Sequence, residues 1–359
     1  MNFATRNWPR PLRLLTGVLG HPETDLDPIL RTMTASDWQN FLHLSVERHR
    51  VASMVMARID QIDPPKEVRD VLTQSSQANA MRVLGQLAAL QAVKRSFEDR
   101  NIEFAVLKGL PLAEQLYGTS SARIARDIDL LIEPHNVIQA SEQLADLGFQ
   151  PDPRLRSLIG ASSLIAETSD LTFTHPDNDV MIEMHWRCHQ FAGWPEVFEG
   201  RQNLERIDTS IGKLTVPDQQ SNLIYLSIHG SMHRWSRLKW LLDIAALAER
   251  RGANMLEQDL MAAEAMGAAR SVELGLTLSN WLFGSPCPET RYAETSWLPR
   301  QCLREISRSE AVPDSFAQRM KFYAMMFAIA DDLSQRLGVL RYRLWGKNRL
   351  SLANLWRTA

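Results

Sequence analysis

Cysteine is scarce: Cys188, Cys287 and Cys302 are the three in 359 residues. They lie too far apart for a disulfide framework or a Cys-x-x-Cys zinc site. Long apolar runs are missing too, since nothing approaches the roughly 18 residues needed to cross a bilayer. The opening stretch MNFATRNWPRPLRLLTGVLGHPETD holds only the short apolar run LRLLTGVLG, without a small-residue cleavage pattern, so it does not read as a signal peptide. Neither sign of charge dominates, because 40 Lys and Arg face 42 Asp and Glu for a formal net charge of −2. That balance excludes bulk nucleic-acid binding by a basic surface. Glycine and proline, at 17 each, are not enriched, and no fixed-period repeat or low-complexity tract occurs. What is present is an ordinary globular chain, 45% hydrophobic and 23% charged. Its length suits about two domains, and a reducing cytoplasm is its expected location.

The first hundred residues carry helical spacing. Met81, Leu84, Leu87, Leu90, Val93 and Phe97 fall three or four apart, which predicts a helix over 77–98 with one buried stripe. From about residue 102 the texture shortens. Phe104–Leu107 and Ile128–Ile132 read as strands around a helix-capable Pro111–Tyr117. Val137–Leu147 reads as an amphipathic helix, with Pro134 before it and Gly148 closing it. Leu171–Thr174 and Val180–Trp186 alternate on either side of His175–Asp179, a hairpin signal. Beyond Pro217-Asp218, a helix start, helical spacing returns over 221–233, 236–250, 254–268 and 315–330. The expected class is α+β, a small mixed sheet flanked by helices. The expected divisions are a helical lead-in (1–76), a core (77–215) and a helical carboxy-terminal domain (216–359).

Asp127-Ile128-Asp129 heads a strand, and side chains two apart on a strand share a face. Two carboxylates then converge, and their repulsion is relieved by a cation or a shared proton. Hard oxygen donors suit Mg²⁺, and a magnesium site often implies a phosphate substrate. In Val180-Met-Ile-Glu-Met-His-Trp186, the same parity pairs Glu183 with His185 and turns Ile182, Met184 and Trp186 to the core. Lys108-Gly109 ends a strand at a helix start, where backbone N–H groups favour an anion, and Arg123 and Arg126 are placed to clamp further phosphate oxygens. Each piece alone has a plainer reading. A DxD can be a solvated edge, Lys-Gly a turn, and Glu183 a partner of Arg187. Their combination in this order is much rarer by chance.

The blocks FAVLKGLPLAEQLYGTSSARIARDIDLLIEP, DVMIEMHWRCH and LIYLSIHGSMHRWSRLKWLLDIAAL resemble the uncharacterised nucleotidyltransferase family of the NTP_transf_5 type. That family lies within the polymerase-beta-like nucleotidyltransferase superfamily. The likeness runs from near Trp38 to about residue 250, with Lys108-Gly109 where the superfamily usually has Gly-Ser. It implies that Asp127 and Asp129 hold catalytic Mg²⁺ or Mn²⁺ ions and that Glu183 supplies the third acid. The implied reaction moves a nucleoside monophosphate, AMP first among them, from an NTP such as ATP to an acceptor hydroxyl or phosphate, releasing pyrophosphate. The acceptor is open among peptide, saccharide and small molecule. Two rivals stand beside this reading: a non-catalytic or regulatory nucleotide-binding protein whose basic tail reaches a membrane or partner, and a phosphotransferase using the same acids.

His229-Gly-Ser-Met-His233 sets two imidazoles four apart, a zinc-like spacing, but Gly230 stands where a metalloprotease has glutamate. A histidine pair that is satisfied or touches substrate is the favoured reading. Lys239 and Asp243 read either as a surface ion pair or, by their family block, as nucleotide or acceptor contacts alongside His185, His229 and His233. Trp235 and Trp240 read as packing residues. After Asp332 no acid occurs, while six Lys and Arg interleave with Leu and Trp over 333–359. That tail is an even choice between peripheral contact with anionic lipid and packing against the helices.

Overall fold

The computed structural model of the chain describes residues 3–20, 24–153, 165, 168–189, 191–310 and 315–345. Five helices lead in: α1 (Arg10–Leu19), α2 (Asp27–Leu30), α3 (Ala35–His43), α4 (Ala52–Met56) and α5 (Lys66–Asp99). Thr34 starts α3 with a reciprocal cap: its hydroxyl accepts the Asp37 N–H while the Asp37 carboxylate accepts the Thr34 N–H. The helix expected over 77–98 forms within the 34 residues of α5, but its stripe differs. Met81 and Leu84 are 68% and 59% exposed, and the inward face holds Asn79, Val83, Gln86, Leu90, Val93 and Phe97. The cause is what that face meets. Asn79 donates to the Ser121 carbonyl (2.8 Å) and Gln86 to the Ala125 carbonyl (3.4 Å), so amides outcompete aliphatic side chains there.

The sheet follows: β1 (Phe104–Val106), α6 (Leu110–Tyr117), β2 (Asp127–Ile132), α7 (Val137–Asp146), β3 (Gln150–Pro151), β4 (Asp170–Thr174) and β5 (Met181–His185). Its order is β1-β2-β5-β4-β3, with β2 and β5 parallel and the other pairings antiparallel. The fold is therefore α+β with a mixed sheet, and the expected hairpin is β4–β5, with Asp179 at positive φ in its turn. A second hairpin, β6 (Leu204–Thr209) and β7 (Gly212–Pro217), carried no clear signal, since charged and exposed residues break the alternation of β6.

Six helices complete the described chain: α8 (Gln219–Met232), α9 (Leu238–Met266), α10 (Ala269–Phe283), α11 (Trp297–Ile306), α12 (Phe316–Ile329) and α13 (Leu333–Trp345). Asp218 caps α8 by accepting the Ser221 N–H at 2.8 Å. The two helices expected over 236–250 and 254–268 are one helix kinked at Gly252, whose φ of 69° and ψ of 162° are not helical.

Two apolar cores result. One lies against the sheet face that carries Ile128, Leu130, Ile182 and Met184, and α5 and α7 cover it through Leu90, Phe97 and Leu144. The other joins the lead-in (Leu12, Phe41, Leu72) to the carboxy-terminal helices (Leu241, Leu276, Ile306), and Leu131 reaches it from the opposite sheet face. That second face also bears Asp127, Asp129, Glu183 and His185, so the acids are turned toward α8 and α9.

Candidate active site

Parallel pairing of β2 with β5 sets Asp129 directly opposite Glu183 and Leu131 opposite His185. Asp129 is fully buried. Its Oδ1 accepts from Lys108 Nζ at 3.1 Å and lies 3.1 Å from His185 Nε2, which is also 3.6 Å from Glu183 Oε2. Oδ2, equally buried, has no hydrogen-bond partner. Burial by itself would raise the Asp129 carboxyl, but Lys108 and His185 override it and hold the group at about 2. Glu183 moves the other way, to about 7, pushed by burial and then by the neighbouring Asp127 charge. Burial opposes the charge on His185, yet its bonds to Asp129 and Glu183 raise it to about 10.

Among the described residues, one group of three or more potential metal ligands occurs: Asp129, Glu183 and His185, with ligand atoms within 4.8 Å of one another. His185 thus stands in the tight group where Asp127 was expected. Asp127 is half-buried and lines the cleft in front of Asp129. The donor set fits a divalent ion, because a buried carboxylate oxygen without a partner sits beside a second carboxylate.

Lys108 leads from β1 into Gly109, the residue before α6. Gly109 has φ 74° and ψ −124°, a backbone conformation that side-chain-bearing residues rarely adopt, so the turn calls for glycine. The rest of the cleft is cationic and aromatic. Arg126 is exposed at its edge, while Arg50, Arg123 and Lys239 line it from buried positions. The Lys239 ammonium donates to the Ile124 carbonyl at 3.4 Å, and burial followed by the Arg123 charge presses its basicity well below the usual lysine range. Arg123 is engaged: its Nε donates to Asp243 Oδ2 at 2.8 Å and Oδ1 at 3.0 Å, and Tyr117 also donates to that carboxylate. Asp243 is fully buried, outside the cleft lining, and not paired with Lys239.

His229 and His233 line the cleft with ring centroids 4.5 Å apart, and His233 stacks on Trp240 at 4.8 Å. Burial and then the Lys108 charge hold both imidazoles in their neutral forms, His233 at about 3 and His229 well below its ordinary value. Neither belongs to the metal-ligand group. Gly230 has a packing reason: a Cβ there would fall 2.3 Å from the ring of Trp235, which is fully buried. Trp186 is core as expected, its indole N–H donating to the Thr168 carbonyl at 2.9 Å. Trp240 is buried yet faces the cleft.

Sequence reasoning missed Arg50, Tyr225, Asp170 and His189, which also line the cleft. Arg50 arrives from the lead-in at a backbone φ of 55°, and the charged run Glu47-Arg48-His49 before it carries no sign of this long-range approach. Tyr225 does carry a sign, standing one helical turn before His229.

A sequence model of the family described as uncharacterised nucleotidyltransferase matches residues 34–284, well over half of the chain. No curated protein and no solved structure matches it. The chain belongs to that nucleotidyltransferase family.

Proposed function

We propose that this member of the nucleotidyltransferase family moves a nucleoside monophosphate, AMP in the first instance, from an NTP to an acceptor hydroxyl or phosphate, with pyrophosphate as the other product. The observation that carries the reading is the in-register pair Asp129 and Glu183 on parallel strands, with one Asp129 oxygen buried and without a partner, inside a cleft walled by Lys and Arg. Asp127, Asp129 and Glu183, with His185 at their side, would hold Mg²⁺ or Mn²⁺. Such an ion, when bound, supplies neutralisation of phosphate charge and a lowered acceptor pKa.

The chain's own residues account for the rest. Lys108 keeps Asp129 ionised. Arg50 and Arg126 attract the triphosphate, Lys239 stands beside them as a hydrogen-bond donor to it, and Arg123, braced by Asp243, shapes the wall behind it. The neutral faces of His229 and His233, continued by Trp240, offer a surface for the base. The acceptor oxygen attacks the α-phosphorus and the bond to the bridging oxygen of pyrophosphate breaks. Glu183, when ionised, takes the acceptor proton. Its position at about 7 suits a base working near neutrality.

A regulatory protein that binds nucleotide without transfer is the second reading. The pairing of Asp129 Oδ1 with both Lys108 and His185 favours it, since these cations already offset that charge. Incubation of the protein and its cell lysate with α-labelled or γ-labelled ATP separates the readings. Label carried to an acceptor from the α position, with pyrophosphate released, is the expected result. Transfer of the γ label points to phosphotransfer, and nucleotide binding with no transfer to the regulatory reading; either sinks the proposal.

A further inference from the structure

The two last described helices expose apolar stripes of the same spacing. On α12, Phe316, Met320, Tyr323 and Phe327 fall four, three and four apart, and on α13 Leu333, Leu337, Leu340 and Leu344 repeat that pattern, so each set occupies one helical face. Phe316, Leu333 and Leu344 are each about two-thirds exposed, at 66%, 69% and 65%. The opposite faces meet the core: Phe322, Met325 and Ile329 on α12, Gln335 and Val339 on α13. These leucines are therefore not the packing side of a terminal helix, because a different set of residues does the packing.

Arginines flank the stripes. Arg336 lies 5.6 Å over the Phe327 ring, Arg343 lies 5.7 Å over the Tyr323 ring, and Arg341 is exposed on the other side of the leucines. The helix pair has two acids, Asp331 and Asp332, both in the turn between the helices. Asp331 is bonded to Arg270, and Asp332 accepts the Gln335 N–H at 2.8 Å. The exposed face thus combines aliphatic and aromatic bulk with positive charge, its acids confined to the turn at one end.

We propose that α12 and α13 together form a seat for an anionic lipid surface. Charge decides among the occupants. A second copy would bring the same arginines face to face. Residues 346–359 carry Lys347, Arg349 and Arg357 and no acid, so they would add cation to cation. An anionic bilayer satisfies both parts of the face: the leucines and phenylalanines enter the acyl boundary while the guanidinium groups stay at the headgroups. No described helix is long and apolar enough to cross a membrane, so the contact is lateral. This inference is independent of the transferase reading.

The test is co-sedimentation of the full chain with vesicles of equal parts phosphatidylcholine and phosphatidylglycerol, against vesicles of phosphatidylcholine alone. Binding to the anionic vesicles, weakened by salt, is expected. Leu337→Gln with Leu340→Gln should lower the partition constant about tenfold or more, and Arg336→Gln with Arg343→Gln about tenfold. Thermal unfolding should be unchanged in the leucine variant, whose altered side chains are exposed, and lowered only slightly in the arginine variant, which gives up two ring contacts. Wild-type protein that stays in the supernatant, or partitions equally onto neutral vesicles, overturns the proposal. So does binding unaltered by both variants, or a dimer by light scattering that the leucine variant dissolves.

Discussion

Taking away the Lys108 ammonium would leave Asp129 charged, fully buried and dependent on His185 alone. Breaking one side of a buried charge pair costs up to about 3–5 kcal/mol. Lys108→Met is therefore expected to lower stability by about 3 kcal/mol, read from urea unfolding. Adding Asp129→Asn to it should restore part of the loss, because the stranded charge goes too. Equal stability of Lys108→Met and wild type would show that the pair is not the electrostatic anchor its 3.1 Å separation indicates. Asp127 stands in a different position, half-buried at the cleft and opposed by nearby like charge. Asp127→Asn should leave the unfolding free energy within about 0.5 kcal/mol of wild type while abolishing α-label transfer. Retained transfer in that variant would remove Asp127 from the catalytic set.

Strands and helices were legible in proportion to how cleanly their periods were written. The DID strand and the MIEMH strand each alternate apolar and ionisable residues, so parity paired Asp127 with Asp129 on one face and Glu183 with His185 on one face, and the register adds that Asp129 stands opposite Glu183. Strand β6 was illegible because Glu205, Arg206 and Asp208 interrupt its period. The stripe on α5 misled because Asn79 and Gln86 answer to carbonyls about forty residues away in sequence, which no local pattern encodes. Arg50 was missed for the same reason. In α8 the reverse holds: the His-Gly-Ser-Met-His spacing was visible, but the reason for its glycine lies in Trp235. Gly230→Ala would gain about 1 kcal/mol of helix propensity but force a Cβ to within 2.3 Å of a buried indole, where overpacking costs about 1–3 kcal/mol or more. A net loss of thermal stability is expected, together with a shift in Trp fluorescence. A variant as stable as wild type would mean that the indole has room to move.

Across the whole molecule, the cleft lies where the sheet, the lead-in and the carboxy-terminal helices meet, and histidines are buried along these junctions. His49 from the lead-in accepts the Leu238 N–H of α9 at 3.3 Å. His49, His189, His229 and His233 are all shifted below their ordinary value of 6.5, burial being the largest cause for each. Each is harder to protonate in the fold than in the unfolded chain, which takes up protons as the pH falls through about 6.5. The unfolded chain then binds more protons, so stability falls as pH falls, by up to about 1.4 kcal/mol per pH unit per histidine. Glu183, raised to about 7, gains its proton earlier in the fold than in the unfolded chain and offsets about one of the four. His185, raised to about 10, contributes stability that is complete below 6.5 and is lost as pH rises through 10, so it flattens nothing on the acid side. The net slope still runs toward lower stability at lower pH, because four lowered imidazoles outnumber one raised carboxyl. Unfolding free energies from urea titrations should fall from pH 7 to pH 5, and His49→Gln should make that fall shallower. A free energy that stays level over this range would mean that these imidazoles are solvated, and that the junction between the lead-in and α9 opens to water.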